Sequence, residues 1–104
     1  MTQKYTVFMI ISLLQNKSKV EQFRYYKGDF NACGLLIDLE RIIQLCKLTN
    51  KQSFVVEKHF VEGYTQEEVA TMLGVTQQMV EKHCRVVKSK IDKVLKEWED
   101  EDKE

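Results

Sequence analysis

The stretch that most constrains this chain is Tyr64–His83, "YTQEEVATMLGVTQQMVEKH". It reads as two helices joined by a turn of about three residues. "TQEE", Thr65–Glu68, is a capping box. A hydroxyl caps the helix, and a carboxylate three residues on reaches back to the cap's own N–H. The helix so opened stops at Gly74, which takes the positive φ of a sharp turn without strain. Thr76 caps the next helix, and no glycine or proline interrupts it before about Trp98. Val69, Leu73, Val75 and Val80 supply an apolar wedge between the two helices. Ala70 is small where they must cross closely. An ordinary helical hairpin does not need alanine, glycine and valine at this spacing, so the pattern is that of a helix-turn-helix.

The upstream sequence carries similar punctuation. "TNKQ", Thr49–Gln52, is a second capping box. It opens a helix carrying Phe54, Val55, Lys58 and His59. That helix ends near "EGY", with Gly63 as its C-terminal glycine. Three further helices are predicted: one from about Thr2 to Gln15, one over "KVEQFRYY", and one over "LLIDLERIIQLCKL". A break at "KGDFN", with turn formers Gly28 and Asp29, separates the last two. Leu35, Leu36, Leu39, Ile42, Ile43 and Cys46 follow helical spacing and mark a core face.

The chain has no proline, four glycines, 43 % hydrophobic and 31 % charged residues. That suits one folded domain with a modest core. The expected fold is all-α: a helical bundle of five or six helices with a C-terminal helix-turn-helix. The helix after Thr76 is expected to be the longest. Three segments are expected: 1–47, a helical segment for packing or dimerisation; 48–96, the helix-turn-helix unit; and 97–104, an acidic tail.

Several function classes lose support. The apolar run "YTVFMIISLL" is about half the length a bilayer needs, and no small-residue cleavage site follows it. No membrane association is expected, and the protein is read as cytoplasmic. Cys33, Cys46 and Cys84 are scattered and odd in number, which fits neither a disulfide framework nor a zinc module. His59, His83 and Cys84 lack ligand spacing, so no metal is expected. No nucleophile–base pair, phosphate-binding glycine loop or paired carboxylates appear. An enzyme is not expected, nor is a cofactor.

Formal net charge is zero, but its distribution is uneven. Between Val75 and Lys96 lie Lys82, Arg85, Lys88, Lys90, Lys93 and Lys96 against Glu81 and Asp92. "EWEDEDKE" follows and is acidic apart from Lys103.

From Leu48 to Ile91 the sequence resembles region 4 of the sigma-70 family of bacterial transcription initiation factors. The stretch is "LTNKQSFVVEKHFVEGYTQEEVATMLGVTQQMVEKHCRVVKSKI". The resemblance implies a four-helix DNA-binding fold whose last helix reads the major groove. "VEKHCRVVKSKI" is also similar to the last helix of the LuxR-type regulators, but the segment before Gly63 matches the sigma spacing. The first 47 residues show no aromatic-rich melting motif. Gln77, Gln78, Met79 and Glu81 stand where the family more often has arginine. At this length the chain resembles the small region 4-like transcription regulators of bacteriophages and prophages.

On the last helix, Val80, Cys84, Val87, Ile91 and Leu95 form the expected inner stripe. Gln77, Gln78, Glu81, Lys82, Arg85 and Lys88 then point outward. Glutamine pairs bidentately with adenine, and a carboxylate accepts from cytosine N4. Lys82, Arg85 and Lys88 are placed to meet phosphates. Thr65 and Thr76 leave helix N-termini that can donate to phosphate, although capping alone accounts for both. His83 is read as a packing residue. The expected function is a DNA-binding transcription regulator acting on double-stranded DNA. The alternative is a module that binds RNA polymerase or a sigma factor with little DNA affinity of its own. A homodimer through Phe8, Ile11 and Leu14 and a purely structural role for that first helix stand as equal alternatives.

Overall fold

The computed structural model describes residues 5–27 and 30–102, with side chains described for 5–22 and 34–98. All regular structure among the described residues is helical. The chain runs α1 (Val7–Gln15), α2 (Lys17–Lys27), α3 (Phe30–Leu45), α4 (Asn50–Val55), a π-helical turn (Val56–Val61), α5 (Gln66–Leu73) and α6 (Gln77–Asp102). The all-α expectation holds. The 26 residues of α6 make it the longest element, about 39 Å end to end.

The boundaries differ from expectation in ways that have local causes. α1 starts at Val7 because Thr6 is its cap, accepting the Met9 N–H at 3.1 Å. No Glu or Gln stands three residues after Thr6, so the capping-box pattern does not flag it. Met1–Lys4, in which the expected start fell, lie outside the described residues, as do Gly28 and Asp29. α3 begins at Phe30, five residues before the predicted apolar run, and ends at Leu45. It stops there because Lys47 turns left-handed, with φ +50°. α6 continues past Trp98 to Asp102, so the acidic end is helical at least that far. Lys, Glu and Asp there offer no breaker, and Lys96 pairs with Asp92 one turn back at 3.0 Å.

Both capping boxes form, at Thr49–Gln52 and Thr65–Glu68. The helix opened by Thr49 widens halfway along. From Val56 to Val61 it is π-helical, and the Glu62 N–H donates to the Glu57 carbonyl five residues back. The wider turn keeps Val55, Val56 and Phe60 all in the core. Gly63 then ends the segment with φ +85°.

One hydrophobic cluster joins these elements. α6 is its axis: Val80, Cys84, Val87, Ile91 and Leu95 are buried, as the stripe requires. Leu36, Leu39 and Ile42 of α3 are buried too, as is Cys46 just past its end, while Leu35 and Ile43 are half-buried. α1 adds Ile10 and Leu14. Tyr5 seals one end: its ring lies 6.5 Å from that of Trp98, tilted by 60°. Its hydroxyl donates to Asp38 Oδ2 at 2.7 Å. No helix among the described residues is long and apolar enough to cross a membrane.

Candidate nucleic-acid interface

The turn between α5 and α6 is built as the sequence requires. Gly74 has φ +68° and ψ +34°, the left-handed end of α5, and its N–H returns to the Ala70 and Thr71 carbonyls. The Val75 N–H donates to the Ala70 carbonyl at 3.0 Å. Thr76 caps α6 by accepting the Met79 N–H at 3.2 Å. Val69, Ala70 and Val80 are buried, and Leu73 and Val75 half-buried, so the wedge is present. At the start of α5, Gln66 reaches across to α6, where its Nε2 approaches Cys84 Sγ at 3.8 Å.

Gln77, Gln78, Glu81, Lys82, Arg85 and Lys88 are all exposed on α6. The helix thus brings together the six expected outward residues of its first half. Among the described residues, Lys82, Arg85 and Lys88 have no carboxylate within ion-pair distance. Arg85 and Lys82 project from the face opposite the buried stripe. Lys88 lies nearer the flank: its ammonium stands 6.0 Å from the Phe60 ring centroid, over the π-helical turn. The same outward face continues at three- and four-residue spacing through Ser89, Lys93 and Lys96, a longer basic row than the three cations singled out from the sequence. Helical spacing alone identifies the extension. Lys96 is partly neutralised by Asp92.

Thr65 and Thr76 are exposed, but both hydroxyls accept backbone N–H groups within their own helices. What they leave free is the outward edge of each helix N-terminus. The loop before α5 is held from behind. His59 Nδ1 lies 2.6 Å from the Tyr64 carbonyl oxygen, with Nδ1 as donor. The Lys58 ammonium lies 6.0 Å from the Tyr64 ring and pairs with Glu62 at 3.1 Å. Nothing in the sequence flags this clamp beyond the Glu-Gly-Tyr ending of the helix. His83 is half-buried, and its Nε2 has no partner among the described residues.

Cys46 and Cys84 are the cysteines whose side chains are described. Both are free and buried, and burial pushes the two thiols up. No cluster of three or more metal-binding side chains occurs among the described residues.

A family model described as ECF sigma factor matches residues 12–97. The chain belongs to the ECF sigma factor family. The match starts inside α1, well upstream of the Leu48–Ile91 stretch that carries the sequence resemblance. In this ECF sigma family member, α2 and α3 therefore lie within the matched unit together with the helix-turn-helix. No curated protein matches the chain, and no solved structure does. ECF sigma factors are not a family of enzymes. Sigma-like DNA binding or RNA polymerase interaction is the activity this membership suggests.

Proposed function

We propose that this protein is a DNA-binding transcription regulator that reads double-stranded DNA with α6. One observation carries the reading. Gln77, Gln78 and Glu81 stand exposed at the start of a helix that α5 braces from behind, with Lys82 and Arg85 exposed one turn further on. The N-terminal residues of a recognition helix approach base edges, and later residues meet the backbone. In this scheme Gln77, Gln78 and Glu81 read bases, and Lys82, Arg85 and Lys88 meet phosphates. The N-termini behind Thr65 and Thr76 add backbone donors. Residues 48–96 form the DNA-reading unit, 1–47 a packing or dimerisation segment, and 97–104 an acidic end. The reading places the protein in the cytoplasm. Its phage or prophage origin rests on the sequence resemblance alone.

A second reading has specific support. The zero net charge and the acidic end of α6 suit a module that binds RNA polymerase or a sigma factor without strong DNA affinity. A gel shift with promoter fragments, with and without polymerase, separates the two. A shift by the protein alone, steeply weakened by salt, is expected. A shift that requires polymerase favours the second reading.

A further inference from the structure

The nine residues of α1, "VFMIISLLQ", carry no charge, yet only Ile10 and Leu14 of them are buried. A helix that is apolar all round is normally covered all round. Phe8 instead projects outward with 79 % of its surface exposed. Beside it runs a groove of about 390 Å³, lined by Tyr5, Phe8 itself, Met9, Ser12, Leu13, Asn16 and Leu35. Ring and groove are parts of one patch. Among the described residues, no charged side chain lines it. Ile10 and Leu14 face the core, so Phe8 lies on the side of α1 turned away from it.

We infer that this patch joins two copies of the chain, with Phe8 of each copy seated in the groove of the other. A two-fold contact must be complementary to itself, because the same surface appears on both sides. A projecting ring next to a hole meets that requirement within one patch. The hole is large enough: a cavity of about 150 Å³ already takes a benzene ring. Near a two-fold axis any charge faces its own copy, and among the described residues none lines this patch. The same lack of charge makes it a poor surface for nucleic acid or for a strongly acidic or basic partner. A stable interface covers about 800 Å² per partner, so the two rings form its centre rather than its whole extent. Of the residues expected at a dimer contact, Leu14 is buried in the core and Ile11 packs against it, so only Phe8 belongs to this surface. The inference does not depend on whether α6 reads DNA.

Sedimentation velocity of the full chain over a wide concentration range tests this. The expected result is a dimer that Phe8→Lys weakens at least about a hundredfold, since two rings leave the interface together. Circular dichroism should not change, because Phe8 is exposed. Ser12→Glu, in the groove, should also dissociate the dimer. An equimolar mixture of the two variants should associate again, because the new ammonium of one copy meets the new carboxylate of the other. If Ser12→Glu does not fold, the Phe8→Lys dilution series decides alone. A parent chain that stays monomeric, a dimer that survives Phe8→Lys, or two folded variants that stay apart when mixed would overturn the proposal.

Discussion

The Lys90 ammonium donates to the side-chain oxygen of Gln52 at 2.6 Å, across 38 positions of sequence. The same oxygen accepts the Thr49 N–H at 3.1 Å, completing the capping box of α4. Gln52 is buried, with 8 % of its surface exposed. One amide thus closes a helix end and ties it to the middle of α6. The bond holds the helix that precedes the helix-turn-helix against the helix that carries the candidate interface.

Gln52→Ala should therefore cost more than the loss of a cap. It removes the acceptor of two hydrogen bonds and leaves a half-buried ammonium without it. A loss of about 1–3 kcal/mol is expected. Lys90→Met keeps the packing of the side-chain stem and leaves the cap intact, so about 0.5–1.5 kcal/mol is expected. Urea denaturation of both variants gives the order. If Lys90→Met proves the costlier, the ammonium matters for something other than Gln52.

Gly74→Val should destabilise by roughly 1–3 kcal/mol through backbone strain, since φ is +68° there. Apart from its own chain neighbours, no atom lies within 4 Å of where a Cβ would stand. The cost is thus conformational and not steric crowding. Gly74→Asn should recover most of it, because asparagine tolerates the left-handed region. Equal melting temperatures for the valine and asparagine variants would show that strain at this turn is not the determinant.

The legible parts of the fold share a cause. Gly74, Thr65, Thr76 and the two capping boxes act through their own neighbours, so their chemistry is written within four or five residues. The inner stripe of α6 is likewise a matter of spacing. Lys90–Gln52 and Tyr5–Asp38 depend on how distant helices pack, which spacing does not encode. The π-helical turn is similar: Val55, Val56 and Phe60 read as ordinary helix until the core demands all three. For the candidate interface, outward direction was legible for Gln77, Gln78, Glu81, Lys82, Arg85 and Lys88. That Lys88 leans over Phe60 was not.

The Tyr5–Asp38 contact predicts an alkaline limb in stability. Burial, the hydrogen bond to Asp38 and that group's negative charge push the Tyr5 phenol from 10.0 up to about 12. The folded state thus favours the neutral phenol, which donates to Asp38. Its contribution is complete below pH 10 and is lost as pH rises from 10 through about 12. The full loss approaches about 2–3 kcal/mol, at 1.36 kcal/mol per pH unit. Tyr5→Phe should be less stable at neutral pH but flatter above pH 10. Lysines also titrate there, so the difference between parent and variant is the quantity to follow. Parallel curves would separate the alkaline limb from Tyr5.

The last prediction separates base reading from backbone positioning. Arg85 is exposed beyond the first turn of α6, with no carboxylate partner among the described residues. Arg85→Ala should weaken binding to all DNA sequences alike and lower the salt slope by about one unit, as one phosphate contact is lost. Lys88→Ala should do the same. A further small loss of stability is expected there, because the ammonium over the Phe60 ring is removed. Gln77→Ala or Gln78→Ala should instead relax preference at one base position, by roughly 1–3 kcal/mol. The acidic end opposes DNA by repulsion, mostly at low salt. Truncation is a poor way to show it, because Trp98 packs on Tyr5 and would be lost too. Replacing Glu97, Glu99, Asp100, Glu101 and Asp102 by their amides keeps that contact and should strengthen nonspecific binding. Titrations of each variant against specific and random duplexes at several salt concentrations read all of these effects. If Arg85→Ala and Lys88→Ala bind as the parent does, or if the parent binds no DNA even with its acidic end neutralised, α6 is not a DNA reader. Polymerase binding would then be the better account of the same helix.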